Sequence, residues 1–394
     1  MEFRVAREVL ADAVAWTARS LPPRPSIPVL AGILLEVDGS QLSVSGFDYE
    51  VSARAEVDVQ AVDGPEVGSG RALVPGRLLA EITRALPPHP VHVRTEGARL
   101  AITCGNARFS LPTLPVEDYP ALPVLPSAAG TVDSDAFAEA VAQVAVAAGR
   151  DDTLPMLTGV RLEIDDDRLT LAATDRYRLA VREFSWRPET AGVSAAVLVP
   201  ARTLADAAKT LTSGPEITLS LASSGVGEGI LGLSGKDRQT TTRLLDAEFV
   251  KYRAIMPTES AASATLPVGL FTDAAKRVAL VAERGTPLRC EFAAGQVTLR
   301  AGGTDDEGQA EEQCDVDFVG DPLTIGFNPA FLLDGLAAVH TRAVRMDFTN
   351  PLKPAVLSGI AEPAAEDADE AGAARPAEPV ADYRYLIMPV RLPG

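Results

Sequence analysis

At 394 residues the chain is too long for one ordinary core, so two or three domains are expected. No apolar run approaches the roughly 20 residues that span a bilayer, and the charged opening MEFRVAREVL lacks the apolar stretch of a signal peptide, which points to the cytoplasm. Three dispersed cysteines and three histidines form no disulfide framework and no ligand spacing, so no metal or cofactor is expected, while the net charge of −18 taken as a bulk figure argues against nucleic acid.

The first predicted element is a helix over residues 6–20. An extended stretch follows, Pro28-Val-Leu-Ala-Gly-Ile-Leu-Leu-Glu36-Val-Asp38. Residues 42–57, LSVSGFDYEVSARAEV, are two apolar runs around a polar knuckle and read as a hairpin. Leu73-Val-Pro-Gly-Arg-Leu-Leu-Ala then opens a helix over 75–86, with proline in its first turn. His89 and His92 flank Pro90 at the connection to the next strand and are expected to face solvent. Glu117-Asp-Tyr-Pro-Ala-Leu-Pro closes the segment, and a break poor in large side chains falls near 125–129.

The same succession recurs. A helix over 134–148 precedes Pro155-Met-Leu-Thr-Gly-Val-Arg-Leu-Glu163-Ile-Asp165, which repeats proline, leucine, glycine, glutamate and aspartate at one constant offset. At that offset Leu169 answers Leu42 and Asp175 answers Asp48. Residues 169–184, LTLAATDRYRLAVREF, share the earlier hairpin outline but carry a far more basic knuckle. Leu198-Val-Pro-Ala-Arg-Thr-Leu-Ala opens a helix over 200–211. Gly225-Val-Gly-Glu-Gly229 lacks the spacing of a dinucleotide loop and no helix follows it, so it reads as a hairpin loop. Glu248-Phe-Val-Lys-Tyr-Arg-Ala-Ile-Met-Pro closes this copy, with a second break near 258–264.

A third, blurred copy has a helix over 270–284, the run PLRCEFAAGQVTLRAGG from Pro287, and a helix over 329–339 opened by Gly326-Phe-Asn-Pro. Gly302-Gly-Thr-Asp-Asp-Glu-Gly308 lacks the alternating oxygen ligands of a calcium loop. Residues 361–382, AEPAAEDADEAGAARPAEPVAD, read as a disordered acidic insertion. Tyr383-Arg-Tyr-Leu-Ile-Met-Pro-Val reads as a last strand. Units of roughly 120–135 residues are too long for a solenoid. They fit three similar α+β domains in tandem: 1–126, 127–258 and 259–394, the last carrying the insertion.

Catalytic patterns are missing from the sequence: no serine elbow, no Walker motif, no HExxH. Asp165-Asp166-Asp167 sits where a hairpin turn is expected, and His340 near a helix C-terminus, where a partly positive ring is favourable. This favours a binding protein over an enzyme. The alternative is a multidomain hydrolase or ligand-binding protein centred on Asp175 and Arg178.

The knuckle Ala173-Thr-Asp-Arg-Tyr-Arg-Leu-Ala180, the element Glu248-Phe-Val-Lys-Tyr-Arg253 and the ending Tyr385-Leu-Ile-Met-Pro-Val-Arg-Leu392 together resemble the beta sliding clamp family of bacterial DNA polymerase III. The resemblance covers essentially the whole chain, and the arginine- and alanine-rich composition is similar to actinobacterial members. It implies the DNA clamp fold: two three-domain subunits joined head to tail in a ring, helices lining a central hole, sheets outside. It also implies a processivity factor that encircles double-stranded DNA without reading sequence. The replicative polymerase, the clamp loader and repair proteins would dock through linear peptide motifs.

That architecture implies an uneven charge distribution. Arg7, Arg19, Arg77, Arg84, Arg150, Arg202, Lys209, Lys276 and Arg277 lie on or just past the helices and would face DNA, with Arg24 in the loop after the first. The acids gather in expected outer loops, 58–66, 165–167 and 305–312, and in the insertion. Asp12, Asp135, Glu139 and Asp206 share the helices, so the helix faces matter.

The resemblance places a peptide groove between the second and third domains. Its residues here would be Leu157, Thr174, Arg176, Tyr177, Leu179, Val250 and Ile255, then Leu386, Met388, Pro389, Val390 and Arg391 from the last strand. Read without the resemblance, Leu157, Leu179 and Ile255 would be core. The knuckle at Gly46-Phe-Asp-Tyr-Glu-Val lacks basic character and reads as a relic of duplication. Three departures from the family pattern stand out: Val250 where Glu-Phe-Pro is expected, Arg176 where glycine is common, and the extension Pro393-Gly394. They imply a shifted groove preference, as in a second clamp copy that tolerates a groove-binding inhibitor or selects partners. Ring closure would use Phe109 on one side and Leu280 with Val281 on the other.

Overall fold

The computed structural model describes residues 1–62, 68–221, 229–283, 285–302, 308–360 and 379–392, with 379–381 described by backbone alone. The readings made for 63–66, 225–228, 303–307, 361–378 and the tail Pro393-Gly394 lie outside the described residues.

Six α-helices form among the described residues: α1 Arg7–Thr17, α2 Gly76–Ala85, α3 Ser134–Ala145, α4 Ala201–Thr210, α5 Val268–Val278 and α6 Pro329–Ala338. Each overlaps a predicted helix. The prolines behave differently from one another. Pro75 and Pro200 end strands immediately before α2 and α4, rather than entering the first turn. Both strands are the outermost of their sheets, and an edge strand tolerates proline's missing N–H. At α6, Pro329 is the first helical residue behind an Asn328 cap, whose Oδ1 accepts from the N–H of Ala330 at 3.0 Å and of Phe331 at 3.3 Å.

The repeat is visible in the strands. Gly32–Asp38, Gln41–Phe47 and Val51–Asp58 form an antiparallel meander. Gly159–Asp165, Arg168–Thr174 and Arg178–Ser185 form the same meander at the offset seen in the sequence. Leu288–Ala293, Gln296–Gly302 and Gln309–Asp315 form the third. Matching turns use different residues: Gly39 at φ 56° in the first and Asp166 at φ 51° in the second. Aspartate tolerates that region better than most side chains, and here its Oδ1 accepts from the N–H of Gly192, a residue distant in sequence, at 2.7 Å. The triple aspartate is therefore a turn.

Two meanders do not end within their own repeat. Val51–Asp58 pairs antiparallel with Arg238–Arg243, Ser52 opposite Thr241. Arg178–Ser185 pairs antiparallel with the last strand, Pro379–Ile387, Leu179 opposite Leu386. Each joint creates a nine-stranded sheet, and two four-stranded sheets remain. Packing follows these sheets. One unit comprises Met1–Ala138, Trp186–Ala191 and Thr203–Leu244; the other comprises Glu139–Ser185, Gly192–Arg202 and Leu245–Gly394. Each holds one large and one small sheet, so the central repeat contributes to both. Phe3, Leu10, Ile33 and Leu42 are fully buried in the first unit, and Phe271, Phe292, Phe348 and Tyr385 in the second.

His92 departs from its expected exposure. It lies half-buried in the strand Val91–Glu96, with Nε2 2.8 Å from Glu2 Oε1. No helix among the described residues is long and apolar enough to cross a membrane.

Candidate functional site

The basic knuckle turns on Asp175. Its Oδ1 accepts from the N–H of Tyr177 at 3.0 Å and of Arg178 at 3.1 Å. Thr174 Oγ1 donates to the Arg178 carbonyl at 2.5 Å and accepts from Arg176 N–H at 3.2 Å. These bonds hold Arg176 at φ 81°, where a Cβ is unfavourable.

Arg178 lies buried beneath the turn. Its Nε donates to Asp175 Oδ2 at 2.9 Å, and Nη1 donates to Asp334 Oδ2 on α6 at 2.6 Å and to the Tyr385 hydroxyl at 3.4 Å. The guanidinium carbon sits 4.4 Å from the Phe331 ring centroid. Burial opposes its charge, but Asp334, Tyr385 and Asp175 outweigh that, so its pKa rises above the ordinary arginine value. Burial also pushes the Tyr385 hydroxyl up to about 12. Asp175 and Arg178, the candidate centre of a hydrolase, are thus bound to each other and to α6. They form a brace, since a buried charge needs its partner to stay buried.

Two apolar surfaces flank this brace. On one, Ala172, Leu179, Val181, Leu198, Phe249, Tyr252, Val356 and Leu386 form a buried cluster. Met156, Leu245, Ala247, Val250 and Met256 pack on it, partly exposed. On the other, a cavity of about 430 Å³ is lined by Leu154, Leu157, Tyr177 and Phe331, with Arg150, Asp151, Arg176 and Asp334 contributing charge. Tyr177 stacks on Phe331 with centroids 6.1 Å apart. Its carbonyl accepts from Met388 N–H at 2.8 Å, which ties the knuckle to the end of the last strand. Thioethers and aliphatic side chains at such a rim adapt to varied apolar ligands.

A charged network holds the floor. Tyr252 donates to Glu163 Oε2 at 3.1 Å, and Glu163 also pairs with Arg253 and Arg161, each at 2.6 Å. Burial would raise the Glu163 pKa, but Arg253 and Arg161 outweigh it and hold it below the usual carboxylate value. The turn Tyr252–Ala254 is thereby fastened to the strand Gly159–Asp165.

The residues expected to form a groove divide between these surfaces. Leu157, Arg176 and Tyr177 reach the cavity, while Leu179, Val250 and Leu386 belong to the cluster. Thr174 is buried inside the turn. Met388 and Arg391 are exposed, Pro389 and Val390 half-buried, and Val390 N–H donates to Gly326 carbonyl at 2.8 Å. Ile255 is exposed and lies in neither set. Arg150, expected to face DNA from just past its helix, lines the cavity. Leu154, Phe331 and Asp334 were not foreseen. Phe331 and Asp334 sit on a helix far away in sequence, with no local signal. Met156 and Met256, beside Leu157 and Ile255, were a signal that could have been used.

Most of the expected DNA-facing cations are exposed. Arg19, Arg24, Arg84, Arg202, Lys209 and Lys276 make no ion pair among the described residues. Arg7 donates to the Arg84 carbonyl at 2.6 Å and Arg77 to the Pro22 carbonyl at 3.4 Å. Arg277 is engaged by Glu312 through Nε at 2.9 Å and a second bond. Two helix acids also have partners: Asp12 binds Arg238, and Glu139 Oε1 lies 2.8 Å from His340 Nδ1. No cluster among the described residues could hold a metal ion.

The expected closing residues lie at sheet edges. Phe109 is partly exposed on Ala107–Pro112, which ends one four-stranded sheet. Gln309–Asp315 ends the other. Leu280 is 84% exposed, and Val281 lies beside Gly308 at the start of that strand.

Comparison with known proteins agrees with this architecture. The chain matches the profiles of the DNA polymerase III beta subunit: the N-terminal domain over 1–123, the central domain over 131–251 and the C-terminal domain over 253–369. It is 54% identical to the beta sliding clamp of Streptomyces coelicolor, with 100% of each chain covered. It is 41% identical to the beta sliding clamp homolog GriR of Streptomyces muensis, with 99% of each covered. Among solved structures, a Pseudomonas aeruginosa sliding clamp bound to griselimycin is similar, with a TM-score of 0.87 at 25% identity and 100% of each chain covered. With three consecutive domain matches and a relative alike from end to end, the chain belongs to the beta sliding clamp family, the beta subunits of DNA polymerase III.

Proposed function

We propose that two copies close head to tail into a ring around duplex DNA. The ring acts as a processivity factor in the cytoplasm and holds the polymerase, the clamp loader and repair proteins by peptides seated beside the basic knuckle. One observation carries this reading. Both joints within the chain pair the last strand of a meander with the last strand of the following repeat. The third meander ends on Gln309–Asp315 and the first repeat on Ala107–Pro112, and neither edge has a further partner among the described strands. A third joint of the same kind needs a second copy, and two copies joined twice leave no such edge open. Charge is compatible with the pairing: Arg108 stands on one edge strand and Asp315 on the other, beside Glu311 and Glu312, which pair with Arg300 and Arg277 of their own chain. The repeats then serve as domains 1–126, 127–258 and 259–394.

Such a ring works by topology and performs no chemistry. It cannot leave circular DNA without opening, so its grip can be weak. Phosphate contacts from the exposed helix cations add salt-dependent affinity, and sequence readout would hinder sliding. In the groove a few apolar anchors supply most of the peptide's binding energy, while Arg176 and Arg150 suit carboxylates or carbonyls at the rim.

Phe109→Asp is expected to give monomers by light scattering and to abolish retention on circular DNA. A dimer that survives this change argues against the closure. Met388→Ala should weaken capture of a polymerase tail peptide. A narrower reading rests on Val250, which packs on the floor where the family pattern has proline. It makes this chain a copy with altered groove preference. Equal affinities of the protein and of Val250→Pro, for both peptide and griselimycin, would remove that reading.

A further inference from the structure

The first knuckle is built like the second. Asp48 Oδ1 accepts from the N–H of Glu50 at 2.9 Å and of Val51 at 2.6 Å, as Asp175 does from Tyr177 and Arg178. Tyr49 takes φ 74° at the repeat position where Arg176 takes φ 81°. The Glu50 carbonyl accepts from Arg243 N–H at 2.9 Å, as the Tyr177 carbonyl accepts from Met388 N–H at 2.8 Å. The frame that presents Met388 beside the groove therefore presents Arg243 at the first joint.

A cavity of about 590 Å³ opens there, wholly inside the first unit. Phe47 and Tyr49, packed edge to face at 5.4 Å, form one wall. The stretch 120–126, PALPVLP, forms another through all its residues but Leu122, which packs on a core cluster instead. That wall is held in place: a Cβ on Gly232 would meet Leu125 Cδ1 at 2.6 Å, so the leucine fills the space beside this glycine. Val124 beside it is 88% exposed. No hydrogen bond among the described residues reaches the backbone of 120–126, and its carbonyls are open to donors from an extended chain. Arg243 Nε donates to the Tyr49 carbonyl at 3.0 Å, and no carboxylate among the described residues pairs with the guanidinium. Glu50 is the other charged residue of the lining.

We propose that this cavity is a second docking pocket, separate from the groove, for an extended peptide segment of a partner protein. A bulky apolar side chain seats on Phe47, Tyr49 and Val124. A carboxylate of the same segment meets Arg243, and a neutral or basic residue faces Glu50. With Arg243 in the backbone frame that holds Met388 at the second knuckle, a cation replaces an apolar side chain at that position, so the anchor here sits beside an anion. The pocket stands whether or not the groove reading holds.

The test uses the full chain and a labelled hexapeptide with photoreactive benzoylphenylalanine between one lysine and one glutamate. Crosslinks mapped by mass spectrometry are expected on 120–126. Glutamine for glutamate in the peptide should weaken them about tenfold, the worth of one charge-assisted hydrogen bond. Arg243→Glu and Val124→Asp, both at exposed positions, should each weaken them at least as much with unchanged melting. Met388→Ala should leave them intact, which separates this pocket from the groove. Labelling confined to the groove strands, labelling indifferent to Arg243→Glu, or copy-to-copy crosslinks that exclude the peptide would overturn the proposal.

Discussion

The two joints share a backbone ladder and oppose each other in side-chain chemistry. At the first, Ser52 faces Thr241 with hydroxyl oxygens 2.6 Å apart, and Thr240 Oγ1 donates to the Ser52 carbonyl at 3.1 Å. At the second, the pair in the same register is Leu179 and Leu386, both buried, with Tyr385 and Tyr383 on the same strand. Ladder hydrogen bonds use only backbone groups, so duplication can keep the joint while its contents diverge. One joint depends on mutually satisfied hydroxyls and the other on buried area. The knuckles diverged in parallel, with Arg243 at one and Met388 at the other.

The sharpest way to break the comparison is Leu386→Ala. It should cost about 2–5 kcal/mol by lost burial and cavity formation, seen as a lowered denaturation midpoint. A loss under about 1 kcal/mol would deny that packing holds the second joint. Alkali should act on the same joint next. Burial raises the Tyr385 pKa from 10.0 to about 12, so the folded state binds this proton more tightly. Its contribution to stability is complete below pH 10 and is lost as pH climbs through 12. Tyr385→Phe should flatten that decline; the strands of the first joint carry no tyrosine.

At the first joint, Ser52→Ala should cost about 1–2 kcal/mol, because the Thr241 hydroxyl loses its partner in a buried site. Adding Thr241→Val should recover most of the loss in a double-mutant cycle, and simple additivity would contradict the hydroxyl account. The smallest effect concerns the knuckles themselves. Arg176→Gly and Tyr49→Gly should each add under about 1 kcal/mol, since glycine relieves a left-handed backbone but gives up chain entropy. A loss at Arg176 would mean that its contact over Tyr177, at 5.8 Å, outweighs the strain.

Much of the fold was legible in the chain because repeats, helix periodicity and turn residues are local signals. The constant offset between Pro28 and Pro155, the six helical segments and the outline of the meanders all follow from neighbours in sequence. The family resemblance likewise rests on contiguous runs, above all the basic knuckle and the last strand. Pairing between strands about two hundred residues apart has no local signature, so Ser52 beside Thr241 and Leu179 beside Leu386 emerged only on folding. The same holds for Arg150 beside Arg176, for Phe331 beneath Arg178 and for the partners that occupy Asp12 and Glu139. Periodicity tells which face of an element is apolar, whereas the neighbour that covers it is chosen by how distant segments pack.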